Sequence, residues 1–183
     1  MSNVEFWAES HRTYLHLLGT AQLDRQLIDR VDLSGVLQTT MLEAYQQEDR
    51  APQDADQQRI WLRRIFMNNL LDALRKLRTQ KRDVRSEVPI ERSAEHSASR
   101  VQAWLSAEES TPSVQAMRKE RVDMLLQAIS RLPGGQQEAI RLHHLQSLPL
   151  EEVSRRMDRP KGAVAALIYR GMQSLRASDA LSD

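Results

Sequence analysis

The sequence predicts an all-α protein built as two small helical domains joined by a flexible linker. Three observations carry this. Apolar residues make up 40% of the 183 but aromatic ones only 4%, so Leu, Ile, Val, Met and Ala must build the core, which suits helices packed on helices. Glycine and proline are scarce, at six each. No long stretch alternates apolar and polar residues with period two, the pattern of a half-buried strand.

Taken in order, residues 5–30 fit one or two helices, with Phe6, Trp7, Leu15, Leu17, Leu18, Leu23, Leu27 and Ile28 at the apolar positions. Asp32-Leu33-Ser34-Gly35 is a helix start, and Val36, Leu37, Thr40, Met41, Ala44 and Tyr45 follow at helical spacing. Gln46 to Asp56 is polar, contains Pro52 and reads as a loop. A long helix runs from about Asp56 to Lys81 on Ile60, Trp61, Ile65, Leu70, Leu71, Leu74 and Leu77, with Trp61 as core. Val84 to Ser113 is rich in serine and charge and reads as a linker, although Val101, Trp104 and Leu105 could dock. From Ser113 periodicity returns through Val114, Met117, Val122, Leu125, Leu126, Ile129 and Leu132, and Pro133-Gly134-Gly135 stops that helix. Gln136–Leu145, Leu150–Met157 and Lys161–Arg176 make three more helices, broken at Ser147-Leu148-Pro149 and at Asp158-Arg159-Pro160. The predicted domains are therefore residues 1–83 and 113–179, with 84–112 as linker. Each domain is small for independent stability.

The last two helices and their short turn have the layout of a helix-turn-helix, whose second helix enters the DNA major groove. Val164, Leu167, Ile168, Met172 and Leu175 mark the inward face of the final helix. Lys161, Ala165, Tyr169, Arg170, Gln173 and Arg176 fall on the other face. Lys161 and Ala165 are the candidates for base edges. Arg155, Arg156, Arg159 and Arg170 suit phosphates, which position without specifying. Glu151 and Glu152 would oppose DNA if they faced it.

Net charge is only +1, but the charges are segregated. Glu43, Glu48, Asp49, Asp54 and Asp56 form an acidic stretch relieved by Arg50. Arg59, Arg63, Arg64, Arg75, Lys76, Arg78, Lys81, Arg82 and Arg85 follow, against Asp72 and Asp83. With the cations of the final helices this makes two basic segments, able to neutralise phosphates at two places on one nucleic acid or simply solvated. Asn68, Asn69 and Asp72 could meet exposed bases. Asn68 and Asn69 fit equally an ordinary polar position or a buried hydrogen bond.

Several classes are excluded. Absence of cysteine removes disulfides, thiol chemistry and Cys-ligated zinc. His11, His16, His96, His143 and His144 do not fall at metal-ligand spacing with carboxylates. No Gly-rich phosphate loop or nucleophile motif appears, so no enzyme, cofactor or metal is expected. The first twenty residues lack a basic head followed by an apolar run, and no segment approaches a membrane span, so a cytoplasmic protein is expected.

Together the two ends resemble the extracytoplasmic-function (ECF) group of sigma factors in the sigma-70 family. Residues 132–176, with LHHLQSLPLEEVSRRM, a turn and then GAVAALIYRGMQSLR, look like sigma region 4. Trp61-Leu62-Arg63-Arg64-Ile65 through Asn68 to Arg75 looks like the promoter-binding helix of region 2. DLSGVLQTTMLEAY, Asp32 to Tyr45, looks like the helix that docks on the polymerase clamp. The resemblance implies a chain that binds core RNA polymerase and promoter DNA without chemistry of its own, and one that an anti-sigma partner could hold. It places Arg63, Arg64, Asn68, Asn69, Asp72, Arg75, Arg78, Lys81 and Arg82 at the −10 element. Arg155, Arg156, Arg159, Lys161, Ala165, Tyr169 and Arg170 fall at the −35 element, and Leu37, Gln38, Thr39, Met41 and Leu42 on polymerase.

Two features depart from that pattern. The docking helix of the family usually carries a Gln-Glu pair preceded by an acidic residue, whereas Thr39 follows Gln38 here and Gly35 stands where the acid often is. The loop Gln46–Gln58 has no aromatic residue to capture a base. Two further readings stay open: an ordinary helix-turn-helix regulator with a partner-binding N-terminal half, and a degenerate sigma-like protein that does not initiate.

Overall fold

The computed structural model describes residues 11–80, 88–106 and 114–178; Lys81 and Arg82 lie outside them. The chain divides into two compact units, Met1–Ser110 and Thr111–Asp183. Every α-helix, 3-10 turn and π turn among the described residues is helical structure, and none of those residues forms a strand.

Unit 1 contains α1 (Arg12–Gln22), α2 (Leu33–Gln46), α3 (Ala55–Gln80) and α4 (Val88–Ser106). Side chains cap two of the helix starts. Asp32 Oδ1 accepts from Gly35 N at 2.9 Å, and Asp54 Oδ1 accepts from Asp56 N at 3.1 Å and Gln57 N at 3.0 Å. Each satisfies backbone donors that the first turn leaves without a helical partner. The core is Leu15, Leu17 and Leu18 from α1, Leu27, and Leu62, Phe66, Met67, Leu70 and Leu74 from α3, all essentially sealed from water. Trp61 is only half-buried, so the centre of this core belongs to Phe66 rather than to Trp61.

The expected linker needs correction. Residues 88–106 form α4, which packs along α3 and against α1 and the turn Arg25–Leu27. Ile90, Ala94, Ser97, Val101 and Trp104 are buried on one face, spaced three or four apart. Small residues such as Ala94 and Ser97 look like spacer composition, but here they let one helix approach another closely.

Unit 2 contains α5 (Val114–Ser130), α6 (Gly134–Ile140), α7 (Leu150–Arg156) and α8 (Lys161–Ala177). Pro133 ends α5 and begins α6, its carbonyl accepting from Gln136 N at 2.8 Å and Gln137 N at 3.0 Å. Gln137 Nε2 reaches back to the carbonyls of Ile129 and Ser130, closing the end of α5. After α6 the backbone widens into a π turn, Arg141–Leu145, with Gln146 N donating to Arg141 O. Ala139, Leu142, Leu148, Val153 and Val164 form the core, with Leu150, Met157, Leu167 and Ile168 packed against it. Gly171 is buried where α8 crosses α6, and a Cβ there would lie 2.6 Å from Ile140 Cδ1. Any larger residue there would have to displace the tip of Ile140.

Candidate nucleic-acid interface

Within unit 2, α7 and α8 are joined by Met157-Asp158-Arg159-Pro160. The chain reverses through Asp158, whose φ of 49° is left-handed, a region where Asp is among the few tolerated side chains. Arg159 N donates to Ser154 O at 3.1 Å, and Ser154 Oγ donates to Arg159 O at 2.5 Å. These bonds fix the angle between the helices. Pro160 stands just outside α8, its carbonyl accepting from Ala163 N and Val164 N.

The inward face of α8 is as expected. Val164, Gly171 and Leu175 are buried, and Leu167, Ile168 and Met172 are half-buried. Lys161, Ala165, Tyr169, Arg170, Gln173 and Arg176 are all exposed, Tyr169 to 63%. Gln173 Nε2 donates to Tyr169 Oη at 2.8 Å, bracing the ring along the helix. Arg155, Arg156 and Arg159 are exposed beside this surface.

The acids of α7 are part of the same surface. Glu152 holds Arg155 at 2.5 Å and Arg156 at 3.2 Å, and Glu151 holds Lys161 at 3.3 Å. Three of the cations suited to DNA are thus paired with carboxylates from the first turn of α7. Ion pairs this exposed are worth about 0–1 kcal/mol and exchange readily for phosphate.

Beneath this surface the π turn brings His143 and His144 edge to face, with ring centroids 4.8 Å apart. His143 Nδ1–H donates to Leu148 O at 2.8 Å. Burial, and secondarily the neighbouring His143, lowers the pKa of His144.

In unit 1 the residues of α3 separate by helical angle. Arg64, Asn68, Asp72, Arg75 and Arg78 are exposed and, at about 100° per residue, share one face. Arg75 Nη1 lies 3.1 Å from Asp72 Oδ1. Arg63 and Asn69 point elsewhere. Arg63 is only 7% exposed, its guanidinium 5.8 Å over the Trp104 ring of α4, so it does not stand among the outward cations of α3. Asn69 Nδ2 donates to Thr40 Oγ1 at 3.3 Å, a part-buried hydrogen bond between α3 and α2.

A similar division holds on α2. Leu37 is core rather than surface, because it lies about a quarter-turn from Gln38. Gln38, Leu42 and Tyr45 share an outward face beside the half-buried Met41, and Leu42 and Tyr45 are 56% and 50% exposed. Tyr45 follows at the helical spacing of Val36, Leu37 and Met41, yet it faces outward. Thr39 is exposed, its hydroxyl turned to Gly35 O at 3.0 Å. A Cβ on Gly35 would meet Asp32 Oδ2 at 2.5 Å, so glycine there accommodates the helix cap.

Among the described residues no group of acids and histidines could hold a metal ion, and no helix is long and apolar enough to cross a membrane. What the fold of unit 2 defines is a helix-turn-helix DNA-binding domain, with its second helix exposed and cationic. Comparison sharpens this class. Residues 123–175 match the family model described as sigma-70, region 4. Over that span the chain is similar to sigma-70 region 4, a non-enzymatic transcription-factor domain. No curated protein matches the chain.

Proposed function

We propose that the chain is an ECF-type sigma factor of the cytoplasm that binds core RNA polymerase and directs promoter-specific initiation. The observation that carries this is a region 4 unit following, on one chain, a second helical unit with its own outward cationic helix face. On this reading α8 and the end of α7 read the −35 element, with Lys161 and Ala165 nearest base edges and Arg155, Arg156, Arg159 and Arg170 on phosphates. Arg64, Asn68, Asp72, Arg75 and Arg78 of α3 face the −10 element. Gln38, Leu42 and Tyr45, flanked by Thr39 and Met41, are the polymerase-facing surface of α2. An anti-sigma partner would act by covering one of these faces.

The loop between α2 and α3 has no aromatic residue, so base capture there relies on hydrogen bonds and shape. Gly35 and Thr39 favour one second reading: a sigma-like protein that binds polymerase or DNA without initiating. A single experiment separates the readings. Purified protein plus core polymerase gives discrete start sites on a genomic template if it is a sigma factor. Co-elution with core enzyme but no start sites selects the non-initiating protein. Neither co-elution nor start sites overturns the proposal.

A further inference from the structure

The first two turns of α8 are poor in groups that hydrogen-bond to bases. Lys161 to Ile168 reads KGAVAALI, and Lys161 has the only side chain there with a donor or an acceptor. Base edges are read through hydrogen bonds chiefly by Arg, Lys, Asn and Gln, so in this stretch that kind of readout falls to Lys161 alone.

What the helix offers next is apolar. Tyr169 is exposed to 63%, and the core of unit 2 is built without it. Beside it lies an open recess of about 480 Å³ with walls from Leu150, Ala165, Ile168, Tyr169 and Met172. Ala165, Tyr169, Gln173 and Arg176 line the recess and also stand on the outward face of α8, so it opens on the side offered to DNA. The hydrogen bond from Gln173 Nε2 to Tyr169 Oη steadies the ring that forms one wall. Apolar surface left open to water in this way marks a place of contact.

The surroundings select the occupant. Arg176 lines the recess and Arg170 adjoins Tyr169, both exposed, which favours a polyanion over an apolar peptide. On the base edges of the major groove the apolar group is the thymine C5-methyl. We propose that the recess receives a thymine C5-methyl group and that Tyr169 is a specificity-determining residue, selecting thymine in the −35 element. Tyr169 lies eight residues, about 12 Å, along α8 from Lys161, so the two side chains address different base pairs. This rests on the sigma-factor reading above and adds to it the base that is read.

Deoxyuridine pairs as thymine does and lacks only the methyl. The test uses the full chain assembled with core polymerase, on promoters located by mapping start sites. Deoxyuridine replaces each thymine of the −35 element in turn, and binding is followed by fluorescence anisotropy. At one position the replacement should weaken binding about fourfold, the worth of one buried methyl. Tyr169→Ala should bind the unmodified promoter more weakly and show no penalty for deoxyuridine. Tyr169→Phe, which keeps the ring, should retain the penalty. Start sites whose −35 elements lack thymine, or tolerate deoxyuridine throughout, overturn the proposal and leave the sigma reading standing. So does a penalty that persists in Tyr169→Ala or disappears in Tyr169→Phe. No start sites at all overturns both.

Discussion

Replacing Glu152 by Gln should strengthen DNA binding while weakening the fold. Glu152 is half-buried in the first turn of α7 and holds two more exposed arginines, Arg155 at 2.5 Å and Arg156 at 3.2 Å. Before either guanidinium can sit on a phosphate, its ion pair must exchange. Each such pair is worth about 0.2–1 kcal/mol, so loss of the carboxylate should tighten binding by about 1 kcal/mol, roughly fivefold. The same carboxylate lies at the positive end of the α7 dipole, where an acid contributes about 0.3–1 kcal/mol to the helix. Unit 2 should therefore melt a few degrees lower, since about 1 kcal/mol shifts a domain of this size by ~4–8 °C. The assay is fluorescence anisotropy of the full chain on a labelled duplex of arbitrary sequence, because the electrostatic part of binding is independent of sequence. The gain should be largest at low salt and shrink as salt rises. Unchanged or weaker binding at low salt, in protein shown to be folded, would refute the placement of Arg155 and Arg156 on the DNA face.

Other substitutions test separate parts of the interface. Lys161→Ala should change base preference at one position of the −35 element, whereas Arg170→Ala should weaken binding to all sequences and reduce the log–log salt slope by about 0.9; equal effects on all sequences would contradict the division. Asp158→Gly should stabilise unit 2 by up to about 1 kcal/mol in urea unfolding, because glycine adopts the left-handed φ of 49° without a Cβ clash. His144 has a lowered folded-state pKa, so below the ordinary histidine range the unfolded chain binds more protons. Stability of unit 2 should fall as pH drops through that range, and His144→Gln should flatten that part of the curve in thermal melts from pH 7.5 to about 5.5.

Legibility in the sequence followed the strength of each local signal. The inward face of α8 could be read because Val164, Leu167, Ile168, Met172 and Leu175 are large, apolar and regularly spaced. Resemblance places site residues by residue type, whereas helical angle decides which of them face outward. Leu37 beside Gln38, and Arg63 beside Arg64, lie about 100° apart and face different surroundings. An arginine in a basic run reads as solvated, but Arg63 has an indole face to lie against, supplied by a tryptophan 41 positions away in sequence. That partner sits in α4, the element hardest to read. Its serines and alanines contribute little apolar signal, and its helix is settled by packing on α1 and α3 rather than by propensity.

The turn at Asp158 has a consequence for how this domain can change. The angle between α7 and α8 is set by backbone conformation and by Ser154, and the seating of α8 by Val164, Gly171 and Leu175. Ala165, Tyr169, Arg170 and Gln173 bear none of that load, and Lys161 contributes only its exposed ion pair with Glu151. Alteration can therefore accumulate at these five positions while the scaffold stays intact, through natural drift or a combinatorial library. The domain is in that sense a cassette, whose specificity can be rewritten with little threat to solubility or yield.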